Sequence, residues 1–302
     1  MNRARAVPYL QATFAVVLWG ASFVATKVAL RSLAPDALVW LRFAMGLVIL
    51  AAAMLARGQF ELPRRNDLAY FALLGLIGIT FHQWLQSNGL VTAQATTSAW
   101  IVATSPIFIA LLGWLALKER LSALQVLGIA VAVLGVLLVV SRGDLGALLG
   151  GGAVTRGDIL VMISAPNWAV FSILSRRGLK QHPAARMMFY VMAFGWGFTT
   201  LLFLFNPQFE AMRQMPWDGW IAVIFLGVFC SGLAYIFWYD ALKSIPASQV
   251  GVFLYIEPLV TVAVAWAVLG EQLTWAALLG GAITLAGIWM VNRVKSAGEE
   301  KK

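Results

Sequence analysis

The sequence predicts an all-α polytopic membrane protein, with ten transmembrane helices arranged as two inverted five-helix repeats. The repeats are residues 1–142 and 157–302, and a glycine-rich linker over 143–156 joins them. Three observations predict this. First, 61% of the 302 residues are hydrophobic and only 12% are charged, whereas a soluble domain carries about 45–50% and about 25%. A soluble globule of this size has no interior large enough for so much apolar surface, so part of its solvent is hydrocarbon. Second, the apolar residues fall into ten runs near the roughly 20 residues that cross a bilayer. Third, the pattern repeats at a fixed offset.

Taken in order, the run 9–31 follows Arg3 and Arg5. It is longer than a signal-peptide core and reads as a retained first helix. Pro35–Asp36 opens the run 37–56. Arg57 to Asp67, with Pro63, separates it from 68–89. The run 95–117 ends at Lys118–Glu119–Arg120, and 122–141 closes the first half. The stretch Gly143 to Gly157 lacks the Gly-Lys-Ser/Thr ending of a phosphate-binding loop, so it reads as a linker. The second half comprises 157–178, 185–205, 218–242 after Pro216, 247–269 and 273–292.

The net charge of +9 comes from 22 Lys+Arg against 13 Asp+Glu. It suits basic cytoplasmic loops on anionic lipid, and no nucleic-acid partner is expected. With the N-terminus inside, 16 basic residues fall in inside segments and 4 in outside segments. The expectation is therefore a multi-pass protein of the cell membrane (a bacterial inner membrane) with both termini cytoplasmic. Cys230 is the lone cysteine and makes no intrachain disulfide.

Residues 86–139 slide onto 238–291 at an offset of 152 without a gap. Pro106 meets Pro258, Trp114 meets Trp266, Glu119 meets Glu271, Gly128 meets Gly280 and Gly135 meets Gly287. At an offset of 149, Trp19 and Lys27 meet Trp168 and Arg176. Five helices per half is an odd number, so the second half enters the membrane inverted. Inverted repeats place a substrate site near the midplane between the halves.

On these residues the chain resembles the EamA-type transporters of the drug/metabolite transporter superfamily. The matching motifs are Trp19-Gly20-Ala21-Ser22-Phe23 leading to Lys27, Leu41-Arg42-Phe43, and Ser105-Pro106 followed by Leu117-Lys118-Glu119-Arg120-Leu121. The second half supplies Tyr255-Ile256-Glu257-Pro258 and Leu269-Gly270-Glu271-Gln272-Leu273. The resemblance implies a ten-helix carrier of small metabolites, many members exporting amino acids or related compounds and others carrying nucleotide sugars or phosphorylated sugars.

Ionisable groups at membrane depth are costly and usually face a cavity or a partner. Glu257 lies midway along its helix beside Pro258, where a helix break is expected. It can bind a proton, anchor a substrate ammonium, or tie down freed backbone. Arg42 offers a fork for a carboxylate. Lys27 is expected to snorkel to headgroups or pair structurally. His82 and Gln86, four apart, share a helix face. Trp19 and Trp168 are repeat-related aromatics that suit a cavity wall, with Trp100, Asn167 and Tyr255 as further candidates. Asp240 is expected to pair with Lys243, three residues on. The two histidines show no ligand spacing, so no metal or cofactor is expected. The fifth and tenth helices read as scaffold or as faces of a possible homodimer.

Other function classes fit less well. An intramembrane enzyme lacks a nucleophile and base in any recognisable motif. A channel would want rings of charge or a carbonyl filter. The low charge of the spans favours zwitterions or cations over phosphates.

Overall fold

The computed structural model describes residues 3–117, 121–144, 146, 154–245 and 247–293. Lys118, Glu119 and Arg120 and most of the glycine-rich stretch lie outside them. Among the described residues, ten helices are long and apolar enough to cross a membrane. The first half holds α1 (Arg3–Ala29), α2 (Pro35–Ala56), α3 (Arg65–Thr92), α4 in two pieces (Ala95–Val102 and Ser105–Leu117) and α5 (Ala123–Val140). The second holds α6 (Arg156–Gln181), α7 (Ala184–Phe205), α8 (Trp217–Ser244), α9 in two pieces (Ala247–Phe253 and Ile256–Leu269) and α10 (Trp275–Arg293).

Local chemistry sets the helix ends. Pro35 stands in the first turn of α2, where its missing N–H costs nothing, and Asp36 meets the positive end of the helix. Ser122 with Gln125 and Thr155 with Asp158 form capping boxes that start α5 and α6. Gly270, at φ +69°, ends α9 in the left-handed conformation that a side chain disfavours.

Two features were not predicted from the sequence. Residues Gly75–Phe81 of α3 and Phe225–Leu233 of α8 are wound as π-helix. The 152-residue offset sets the first on residues 227–233 within the second, so the two halves share a local distortion of a kind frequent at functional sites.

The halves interlock through close backbone contacts. Membrane helices associate where small residues let backbones approach. In α5 and α10, a Cβ on Gly128 would lie 2.7 Å from the Gly287 carbonyl oxygen, and one on Gly280 would lie 2.7 Å from that of Gly135. These repeat-equivalent helices thus cross antiparallel, since the earlier glycine of one faces the later glycine of the other. Likewise α1 meets α9, where the Thr261 hydroxyl donates to the Gly20 carbonyl at 2.7 Å. A Cβ on Gly46 of α2 would crowd Ser231 of α8, and one on Gly195 of α7 would crowd Ile79 of α3. The outer faces carry apolar side chains such as Val48, Leu134 and Trp266, each at least 60% exposed. Such faces require lipid as their solvent. The protein is a multi-pass membrane protein.

Asp240 does not pair with Lys243. It receives both terminal nitrogens of Arg57, at 2.8 and 2.7 Å, because the end of α2 lies against the end of α8. A bidentate guanidinium–carboxylate pair is better matched than a point-charge lysine.

Candidate functional site

A cavity opens where the two broken helices approach each other. Pro106 lacks the N–H that would bond the Val102 carbonyl. The Ser105 hydroxyl bonds that carbonyl instead, at 2.6 Å, and the Thr104 hydroxyl bonds the Ile101 carbonyl at 2.6 Å. In α9, Pro258 likewise withdraws its donor from the Leu254 carbonyl, which accepts the Glu257 amide at 3.2 Å. The 152-residue offset places Glu257 on Ser105. Both line the cavity. Among the described residues, no donor reaches the Glu257 carboxylate. It faces the cavity and does not tie down the freed backbone.

The cavity volume is about 80 Å³. That is room for several waters or one small solute. Six of the residues singled out in the sequence line it: Trp19, Arg42, His82, Gln86, Trp168 and Glu257. The lining comes from α1, α2, α3, α4, α6, α8 and α9, with α2 contributing through Arg42.

Arg42 is buried, with a relative exposure of 5%. Its Nε donates to the Ser231 hydroxyl at 3.1 Å, and one terminal nitrogen donates to Gln83 Oε1 at 3.2 Å. Among the described residues, no carboxylate lies within ion-pair distance of it. His82 is buried against Trp168, with ring centres 4.9 Å apart, and its Nδ1 has no partner among the described residues. Trp19 is held by its indole N–H, which donates to the Cys230 carbonyl at 3.2 Å, and by Trp238 at 5.2 Å between ring centres.

The other three candidates lie outside the lining. Trp100 is buried against Gly281, where a Cβ would come within 2.3 Å of its ring. Asn167 donates to the Ile77 carbonyl in the π-helical part of α3, at 2.9 Å. Tyr255 accepts from Asn292 at 2.5 Å. Lys27 does not snorkel outward; it bonds backbone carbonyls of the α3–α4 hairpin.

Gln83, Ser105 and Tyr235 also line the cavity, and Ser105 and Tyr235 are not among the candidates read from the sequence. Ser105 was findable, since the repeat sets it opposite Glu257. Gln83 is one residue from His82, and a wide cavity takes both even though they do not share a helix face.

The fold and site therefore define a class: an all-helical membrane protein that encloses a polar cavity, at two broken helices, between two similar halves. The chain belongs to the EamA-like transporter family, which matches residues 7–141 and again 155–293. An uncharacterized transporter of Archaeoglobus fulgidus is 27% identical over 94% of this chain and 96% of its own. A protein of Streptantibioticus cattleyicolor named a probable terminal-alkyne amino-acid exporter is 29% identical over 92% of this chain and 91% of its own. A solved crystal structure at 23% identity covers 100% of both chains with a TM-score of 0.67, which speaks to the fold alone.

Proposed function

We propose that this protein is a secondary carrier that exports small zwitterionic metabolites such as amino acids by alternating access. The observation that carries the reading is the pair of opposite charges in one cavity. Arg42 offers a guanidinium with no carboxylate partner, and Glu257 offers a carboxylate with no donor. A buried charge left without its counter-ion is costly, so a ligand bearing both charges satisfies both walls at once. The substrate carboxylate meets Arg42 and its ammonium meets Glu257, with Trp19, Trp168, His82 and Gln86 around the side chain. The name of the Streptantibioticus relative points to the same substrate class.

The antiparallel crossing of α5 and α10 supports inverted halves, 1–142 and 157–302, joined over 143–156. Two similar half-structures of opposite orientation supply a gate on each side of a shared site. The basic-residue split supports cytoplasmic termini in a cell membrane.

Counterflow in proteoliposomes tests the reading. Vesicles loaded with unlabelled neutral amino acids are expected to accumulate labelled amino acid transiently, whereas sugar phosphates are expected to drive none. Arg42→Gln is expected to weaken apparent affinity by at least about tenfold, as for a lost charge-assisted hydrogen bond. Flux without counterflow would mark a channel, and accumulation of sugar phosphates would overturn the zwitterion assignment.

A further inference from the structure

The hairpin between α3 and α4, where helix stops at Thr92 and resumes at Ala95, lies just beyond one end of the cavity. Leu90, in the last turn of α3, lines the cavity from this end, with Thr26 of α1 beside it. Three separate elements converge on the hairpin. Lys27, near the end of α1, donates to the Leu90 carbonyl at 3.3 Å and to the Ala93 carbonyl at 2.5 Å. A cation there meets the negative end of a helix. Glu271, just after α9, accepts the amides of Ala95 and Thr96 at 2.8 and 3.0 Å, one on each carboxylate oxygen. An anion there meets the positive end of the next helix. The Gly157 amide, at the start of α6, donates to the Thr92 hydroxyl at 2.9 Å.

Two of these three elements, Glu271 and Gly157, belong to the second half of the chain, and the hairpin belongs to the first. The hairpin is therefore fastened across the boundary between the halves, at the rim of the cavity. Side-chain charges from Lys27 and Glu271 hold the hairpin backbone, beside a small apolar cluster of Phe23, Val24, Leu90, Ala95, Ala99 and Ala265 that packs it onto α1 and α9. The opposite end of the molecule differs. Arg176 occupies the position of Lys27 in the repeat, yet it is exposed and has no hydrogen-bond partner among the described residues. At that end the halves are joined by other pairs, Arg57 with Asp240 and Arg186 with Glu61, and Lys27 is engaged where its repeat counterpart is not.

We propose that Lys27 and Glu271 form a releasable latch that shuts the α3–α4 end of the cavity, and that each transport cycle requires its release. The proposal rests on the reading of the cavity as a transport site. Lys27 and Glu271 are positioning residues: they act on the hairpin and do not touch the substrate. With the latch made, a substrate enters and leaves only from the other end. With it open, the halves separate at this end and Thr26 meets water.

The test places a single cysteine at Thr26 in a Cys230→Ala background and applies an impermeant thiol reagent from the side carrying the α3–α4 hairpin. Glu271→Gln is expected to raise the labelling rate about tenfold, Lys27→Gln to raise it less, and Glu271→Asp to restore most of the protection. A second arm leaves both latch residues intact and joins cysteines at Gln94 and Gln272 with a short cleavable cross-linker. Cross-linking is expected to abolish counterflow, and cleavage to restore it. Unchanged labelling in a folded Glu271→Gln variant, or full counterflow by the cross-linked protein, overturns the latch. If Glu271→Gln fails to fold, the cross-linking arm decides. Labelling needs no substrate, so a protein whose labelling responds as expected but which carries nothing in the counterflow panel overturns the transport reading and leaves the latch standing.

Discussion

At the break in α4 a serine precedes the proline, and at the break in α9 a glutamate does. Both prolines withdraw one backbone donor in the middle of a membrane helix, where no water replaces it. In α4 the Ser105 hydroxyl takes over that duty at 2.6 Å, so the break is closed within itself. In α9 the Glu257 amide serves the Leu254 carbonyl at 3.2 Å, and the side chain is left for the cavity. The difference teaches that the repeat supplies the break twice, while one substitution supplies the chemistry once. A symmetric scaffold thus holds an asymmetric charge, on the α9 side.

The largest expected effect comes from making the α9 break neutral. Glu257→Gln keeps the shape and removes the charge, so net transport in proteoliposomes is expected to be lost while thermal stability stays within about 0.5 kcal/mol of the parent. Exchange of substrate for substrate separates the two roles of the carboxylate. Exchange survives if Glu257 carries only a proton and fails if it holds the ammonium. Normal net transport by the Gln variant would erase the contrast between the breaks.

A smaller effect of the opposite kind is expected in α4. Ser105→Ala leaves the Val102 carbonyl without its partner and is expected to cost about 1–2 kcal/mol in chemical denaturation. Substrate specificity is expected to stay unchanged. A Ser105→Ala variant that is fully stable but inactive would move the functional side to α4.

The smallest effect sharpens the same comparison at the paired tryptophans. Trp19→Phe deletes a hydrogen bond to the Cys230 carbonyl and is expected to cost about 1 kcal/mol more than Trp168→Phe. Among the described residues, the Trp168 indole N–H makes no such bond. Equal losses in thermal shift would mean that Trp19 acts through packing alone.

Much of this was legible in the sequence. The ten spans, the broken ninth helix and six lining residues follow from hydrophobic runs, Pro258, and charged or polar groups set in apolar surroundings. The rest was hidden for identifiable reasons. The π-helical segments of α3 and α8 carry no periodicity signal, because their extra residue per turn is stabilised by the helices packed against them. The bond from Arg42 to Gln83 was hidden too, because it joins two helices 41 residues apart in the chain.

By itself, the sequence determined the solvent, the number of crossings and the internal duplication. Each of these is written in local runs of residues or in spacings along one dimension, and the hydrophobic effect reads such runs directly. Only the tertiary structure decided which polar groups meet. Asp240 turned to Arg57, 183 residues away, and not to its neighbour Lys243. Glu271 reached the amides of Ala95 and Thr96, and Lys27 the carbonyls of the same hairpin. In hydrocarbon a polar group must find a partner wherever the packing of helices brings one. That packing is set by close contacts such as Gly128 on Gly287 and Gly46 on Ser231, between helices far apart in the chain.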